Sequence, residues 1–128
     1  MNYKVGQVWT FPETEDRPFL IVTIGRIDSA ADLGADPANS AVLSVSLSPS
    51  EDARALDWPE VDHAPIAQSA FNSDGSGEMV MDEVSPSGGF DEGYQTWRAA
   101  FEAGNAGVFT VPPPDAYSAI LQIYADET

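Results

Sequence analysis

The pattern of apolar and polar positions predicts short strands in the first half of the chain. The strongest strand runs from Phe19 to Ile27, where β-branched residues dominate and apolar side chains fall on both faces. Residues 42–47 alternate strictly, which predicts a half-buried antiparallel strand. Residues 5–11 form a shorter β-prone segment. Because no helical pattern separates these segments, they predict a small antiparallel sheet or an SH3-like partial barrel.

The second half of the chain is dominated by helical spacing. Aromatic residues recur along one helix face within residues 90–103, at Phe90, Tyr94, Trp97 and Phe101. Gly104 follows them as a helix stop. This stripe is typical of a helix packed on a core rather than of a ligand site. The residues after the triple proline 112–114 repeat the spacing and predict a second helix.

The segments between these elements carry weaker signals. Two long loops are predicted, at residues 28–39 and at the proline-broken, acidic residues 48–65. Pro65 can open a short helix that ends at Phe71, and short strands are predicted at residues 78–84 and 107–111. The elements together predict one α+β domain over residues 1–128, with the N-terminal strands packed against two C-terminal helices.

Charge narrows the classes of partner. Twenty-one acidic residues against five Lys and Arg give the 128-residue chain a formal net charge of −16, and all of that net charge lies after Ile27. Such a field repels nucleic-acid phosphates and anionic membranes and attracts basic proteins. A hydrophobic content of 43% predicts a folded chain, and the absence of cysteine excludes disulfides and thiolate metal sites. No apolar run reaches the length of a membrane span, so a cytoplasmic location is expected.

Four segments of the chain carry a resemblance, and they read VGQVWTF, IVTIGRID, HAPIAQSAF and GYQTWRAAFEAGNAGVFTV. On these segments the chain resembles a group of small, acidic bacterial proteins of uncharacterised function. The resemblance implies a single α+β domain and transfers no catalytic residue. Its most specific positions coincide with the predicted helix, its stop and the following strand. These positions are therefore interpreted as residues that maintain the fold rather than as functional residues.

One stretch matches a calcium-binding loop in part. Residues 72–83 offer oxygen donors at Asn72, Asp74 and Ser76, a turn glycine at Gly77, and Glu83 at the position of the bidentate carboxylate. The first ligand is Asn instead of Asp, and Pro86 cuts short the helix that would hold Glu83. The alternative is an acidic hairpin loop.

Other chemistry has little support in the sequence. His63 is the single histidine, and neither a nucleophile nor an orienting acceptor for it can be identified from the sequence. One histidine and no cysteine exclude imidazole or thiolate metal centres, and no phosphate-binding or dinucleotide motif is present. We therefore predict no metal, no cofactor and no direct binding of nucleic acid or membrane.

An acidic stretch around a tryptophan is the predicted recognition site. Carboxylates supply electrostatic steering and the tryptophan supplies an apolar anchor, the usual combination at a binding hot spot. The predicted partner-binding residues are Glu51, Asp52, Asp57, Trp58, Glu60 and Asp62. The alternative is a solvated loop whose tryptophan folds back onto the sheet.

The leading hypothesis is a non-enzymatic acidic protein that covers a basic surface of a macromolecule, for example of a nucleic-acid-binding protein. It includes a nucleic-acid mimic, an immunity protein against a basic nuclease, and a phage inhibitor of a nucleic-acid-guided defence complex, as in anti-CRISPR proteins. The alternatives are a small carboxylate-dependent enzyme acting on a cationic or sugar-like substrate, a weak calcium-binding loop protein, and a housekeeping domain of an acidic proteome.

Overall fold

The computed structural model describes residues 3–15, 18–29, 31, 34, 41–50, 58–86 and 88–127. Within them the elements follow in the order β1 (Val8–Phe11), β2 (Leu20–Ser29), β3 (Ala41–Pro49), β4 (Val61–Ala67), α1 (Gln68–Phe71), β5 (Glu78–Met81), α2 (Phe90–Glu102) and α3 (Pro113–Glu127). The strands form one open antiparallel sheet in the order β4-β3-β2-β1-β5. The predicted α+β fold with an antiparallel sheet is confirmed.

One face of the sheet carries the larger core. The register pairs Val22 with Leu47 and Ile24 with Val45, so apolar side chains of neighbouring strands meet on the same face. Helices α1 and α3 close this core, with their most deeply buried aromatic side chains at Phe71 and Tyr117. Burial of this apolar area is the dominant stabilising term.

Helix α2 packs across the opposite face. Its aromatic stripe meets Val42 of β3, and Phe90 lies directly over Gly25 of β2. A Cβ atom at Gly25 would lie 2.6 Å from Cε2 of Phe90, so glycine is required for this close approach. The predicted half-burial of residues 42–47 was wrong, because α2 contacts this face of β3 and its serines Ser44 and Ser46 are buried as well.

The loop predicted over residues 48–65 was wrong at both ends, because β3 extends to Pro49 and β4 begins at Val61. Pro65 lies within the strand, opposite Ser44. Proline is tolerated there because β4 is the last strand in the sheet. Its outer side is capped by Phe109, whose N–H donates to Pro65 O at 2.9 Å and whose carbonyl accepts from Ala67 N at 2.8 Å. The strand predicted over 107–111 is this single bridge.

The helices follow the sequence pattern closely. Helix α2 ends one residue before its predicted end, and Gly104 has a positive φ of 80° at the stop. Helix α3 begins at Pro113, where proline is accepted in a first turn. The short helix α1 begins at Gln68 instead of Pro65, and the strand predicted over 78–84 ends at Met81. In the described part of the chain, no helix is both long and apolar enough to cross a membrane.

Candidate functional site

A cleft of about 570 Å³ opens at the β4 edge of the sheet, between β4 and α2. Phe109, which precedes α3, and Ile120 of α3 extend its wall beyond these two elements. Its lining comprises Glu60, Val61, Asp62, His63, Pro65, Gly89, Glu92, Gly93, Thr96, Trp97, Phe109 and Ile120. Three elements therefore position the cleft, and β4 and α2 supply four lining residues each.

Two glycines bring α2 close to β4. A Cβ atom at Gly93 would lie 2.8 Å from Cβ of His63, and a Cβ atom at Gly89 would overlap the carboxylate of Asp62. Gly89 is the N-cap residue of α2 and lacks a side chain to cap it. The Asp62 carboxylate therefore lies against a helix N-terminus, where the macrodipole favours negative charge.

Three exposed carboxylates border the cleft, those of Glu60, Asp62 and Glu92, and we call them the acid rim. Of the described residues that line the cleft, none is Lys or Arg. The Glu60 carboxylate also accepts a long hydrogen bond of 3.5 Å from the Ser48 hydroxyl. Like charges at one opening produce a local negative potential that attracts cations.

Five apolar side chains also line the cleft, and we call them the apolar floor: Val61, Pro65, Trp97, Phe109 and Ile120. Trp97 is 9% exposed, and its indole Nε1 donates to Gly107 O at 2.9 Å. This bond holds the indole in one orientation at the base of the cleft. A flat aromatic surface below carboxylates suits the amphipathic side chain of Lys or Arg, whose aliphatic stem is apolar and whose head is charged.

His63 belongs to the packed wall of the cleft. Its ring centroid lies 5.4–5.7 Å from those of Phe90, Tyr94 and Trp97. Burial lowers the pKa of His63 to about 4, and among the described residues its buried Nε2 has no hydrogen-bond partner. A neutral imidazole with so low a pKa is a weak general base near pH 7. The geometry favours a packing role for His63 over catalysis.

Replacing His63 with Gln should remove one pH-dependent contribution to stability. The pKa of His63 falls from an ordinary value of 6.5 to about 4 on folding, so the unfolded chain takes up this proton first as the pH falls. The contribution of neutral His63 is fully present above pH 6.5 and is lost between pH 6.5 and 4. Thermal unfolding of both proteins across this range measures it. We expect the melting temperature of the wild type to fall relative to that of His63→Gln, whereas a constant difference would contradict the shift.

Two arginines converge on one buried acid away from the acid rim. Asp28 accepts a hydrogen bond from the Tyr94 hydroxyl at 2.8 Å, and Arg26 Nε lies 3.3 Å from its other oxygen. Arg98 donates to the Tyr94 hydroxyl at 2.9 Å and pairs with Glu102 at 2.8 Å. Burial, and then the Asp28 carboxylate, raise the pKa of Tyr94. Both guanidinium groups are thus occupied around α2, at side chains outside the cleft lining.

The structure divides the six predicted partner-binding residues. Glu60 and Asp62 lie together on the acid rim. Trp58 is half-buried and packs on Tyr117, with ring centroids 6.2 Å apart, so it matches the alternative in which it folds back. The other three, Glu51, Asp52 and Asp57, lie outside the described residues.

The stretch that matched a calcium loop forms a different turn. Asn72 Oδ1 accepts the Gly77 N–H at 2.8 Å, and Asp74 Oδ1 accepts the N–H and hydroxyl of Ser76. These oxygens bond their own loop, and strand β5 occupies residues 78–81 within the stretch that a calcium-binding loop would form. Among the described residues, no group of three or more His, Cys, Asp or Glu is placed to hold a metal ion.

Sequence reasoning missed the α2 side of the cleft. Glu92 lies in the first turn of the predicted helix and Trp97 on its aromatic stripe, and neither position by itself indicates a cleft. Gly93 was an available signal, since glycine within a helix costs about 1 kcal/mol relative to alanine and so indicates close packing. Because Pro65 suggests a loop or the start of a helix, the sequence did not indicate β4, the strand on which α2 packs.

Comparisons of the chain with protein-family models, with curated proteins and with solved structures found no match. The resemblance to small acidic bacterial proteins stays a prediction. The function must therefore be inferred from the cleft.

Proposed function

We propose that this chain is a non-enzymatic, cytoplasmic acidic binding protein that covers a basic surface of a macromolecular partner. The observation that supports this proposal is the cleft, in which exposed carboxylates stand above an apolar, aromatic floor. A Lys or Arg side chain of the partner would lay its stem on Trp97 and Ile120 and place its charge among the acid rim.

The two parts of the cleft contribute differently to such binding. An exposed ion pair is worth about 0–1 kcal/mol, so the acid rim supplies attraction and selectivity more than affinity. Burial of an aliphatic stem on the apolar floor contributes about 25 cal/mol per Å² of apolar area removed from water. A basic side chain that pairs with the acid rim and also buries its aliphatic stem on the apolar floor is the expected hot spot of the interface.

The exposure of the acid rim favours binding over acid–base catalysis. A carboxyl that donates a proton near pH 7 usually lies in an apolar setting that raises its pKa, and Glu60, Asp62 and Glu92 are exposed to water. His63, with a pKa lowered to about 4, offers no strong base beside them. The carboxylate-dependent enzyme is therefore the weaker candidate.

The positions of the other acids narrow the proposal further. Besides the acid rim at the β4 edge, a second exposed set surrounds β5 at the opposite edge, at Asp74, Glu78, Asp82 and Glu83. A nucleic-acid mimic with its charges on one face fits this distribution less well than a protein that inserts basic side chains into a cleft. An inhibitor or immunity protein directed at a basic protein surface is the favoured version.

Charge reversal on the acid rim is expected to weaken partner capture by about tenfold or more. The wild type, the double variant Glu60→Lys/Glu92→Lys and the control Glu13→Lys/Glu15→Lys would be immobilised and exposed to lysate of the source organism at low and moderate salt. The control makes the same change in net charge at exposed residues of the β1–β2 connection, about 14 Å from β4 across the sheet.

We expect the wild type and the control to retain the same basic protein and the rim variant to lose it by about tenfold or more. Retention by the rim variant, or equal loss from both variants, would contradict the proposal. Capture of no basic protein by the wild type would contradict it as well.

A further inference from the structure

Strand β5 has one edge without a neighbouring strand. It is the last strand in the order β4-β3-β2-β1-β5 and pairs with β1 alone among the described strands. The outer edge of such a strand presents backbone N–H and C=O groups that can pair with another chain.

The side chains of β5 are unusually apolar for an edge. Met79, Val80 and Met81 are consecutive and are 46%, 49% and 58% exposed. Proteins commonly protect an open edge with charged side chains, prolines, bulges or short length. Here the strand is short and a register shift lies opposite Val80, but the last three of its four positions are apolar. Methionine adapts its shape to different contact surfaces, which suits a binding strand.

Carboxylates surround this apolar segment. Glu78 begins the strand, and Asp82 and Glu83 follow it directly, all three exposed. Two copies of this chain that paired edge to edge would bring these like charges together, which disfavours self-association. A segment with lysines or arginines would instead pair with them. Charge complementarity therefore selects a basic occupant.

Two local bonds limit the open edge to the strand itself. Glu83, whose φ is +57°, has its N–H bonded to Asp82 Oδ1 at 2.8 Å. The next residue, Val84, donates to Gly6 O at 2.9 Å and turns the chain inward. The accessible edge thus comprises residues 78–81, enough for one short added strand.

We propose that the outer edge of β5 accepts an extended basic segment of a partner protein as an added sixth strand. Backbone hydrogen bonds supply the pairing, Lys or Arg side chains meet Glu78 and Asp82, and apolar side chains of the segment contact Met79 and Met81, which the register shift at Val80 places on opposite faces of the sheet. This surface lies at the opposite edge of the sheet from the cleft, so the inference does not depend on the proposed function.

A synthetic peptide in which pairs of lysines alternate with pairs of valines, so that each face carries both side chains, tests the proposal on the wild-type protein. Two control peptides carry N-methyl groups, each on one of the two sets of alternate residues. Because only one edge of an added strand pairs with β5, one control peptide should bind about tenfold more weakly and the other should bind like the parent. In spectra of the ¹⁵N-labelled protein, the parent peptide should shift the amides of residues 78–82.

Equal affinity of all three peptides, shifts confined to the cleft, or no binding would overturn the proposal. Concentration-dependent shifts at β5 without peptide would indicate a second copy as the occupant and would overturn it too. Glu78→Lys/Asp82→Lys should weaken binding of the parent peptide and remove the shifts of residues 78–82. Retention of these shifts with unchanged affinity in this variant would overturn the proposal.

Discussion

Replacing Phe71 with alanine is expected to lower the free energy of unfolding by about 3–5 kcal/mol, the largest effect of any single substitution considered. Phe71 is fully buried on the one-turn helix α1. Its ring lies 5.1, 5.6 and 5.8 Å from those of Tyr3, Trp9 and Phe11, in edge-to-face arrangements. Truncation removes these contacts and leaves a cavity that a sheet and helix cannot close without moving.

Urea denaturation of the wild type and Phe71→Ala measures this loss. Met79→Ala is the control, since Met79 is a large apolar residue on an exposed strand and its truncation should change stability by less than about 0.5 kcal/mol. A loss below about 1 kcal/mol for Phe71→Ala would show that α1 does not close the core as described.

Replacing Gly93 with valine is expected to destabilise the protein by about 1–3 kcal/mol and to disrupt the cleft. The reason is packing, because even a Cβ atom at Gly93 would lie 2.8 Å from Cβ of His63. Helix propensity alone predicts the opposite sign, since valine is a better helix former than glycine by a few tenths of a kcal/mol. The sign of the change therefore distinguishes the two effects.

Ala99→Val is the matched control on the same helix, at an exposed position. It should cost only the difference in helix propensity, about 0.6 kcal/mol. Urea denaturation gives both values, and partner capture gives a second measurement, which Gly93→Val should impair and Ala99→Val should not. An equal or higher stability for Gly93→Val would mean that α2 does not rest on β4 through this glycine.

The sequence predicted best the elements whose apolar positions follow a single helical or strand periodicity. The aromatic spacing from Phe90 to Phe101 gave α2 nearly to the residue, because a helix face packed on a sheet needs that spacing. Strand β4 was missed because Pro65 suggests a loop, and only the order of strands in the sheet shows that its missing N–H lies at an edge. The burial of Ser44 was missed for a similar reason, since it depends on α2, 46 positions and more along the chain.

The candidate site was predicted in part. Charge and composition selected Glu60 and Asp62, which the structure places on the acid rim. Their partner Glu92 comes from another element, and no local pattern connects it to them. The Asp28–Tyr94 hydrogen bond joins residues 66 positions apart, and the sequence could not predict it either. Long-range contacts of this kind depend on the packing of α2, which strand and helix patterns do not specify.

The salt dependence of partner affinity tests the central claim most directly. The claim is that basic side chains of a partner bind between the acid rim and the apolar floor. Affinity for the captured protein would be measured over a range of salt concentrations for the wild type, Glu60→Lys/Glu92→Lys and Glu13→Lys/Glu15→Lys. We expect the rim variant to bind weakly with a flattened salt dependence and the control to keep nearly the affinity and slope of the wild type. Matching losses and slopes in the two variants would show that net charge alone governs binding and would contradict the claim.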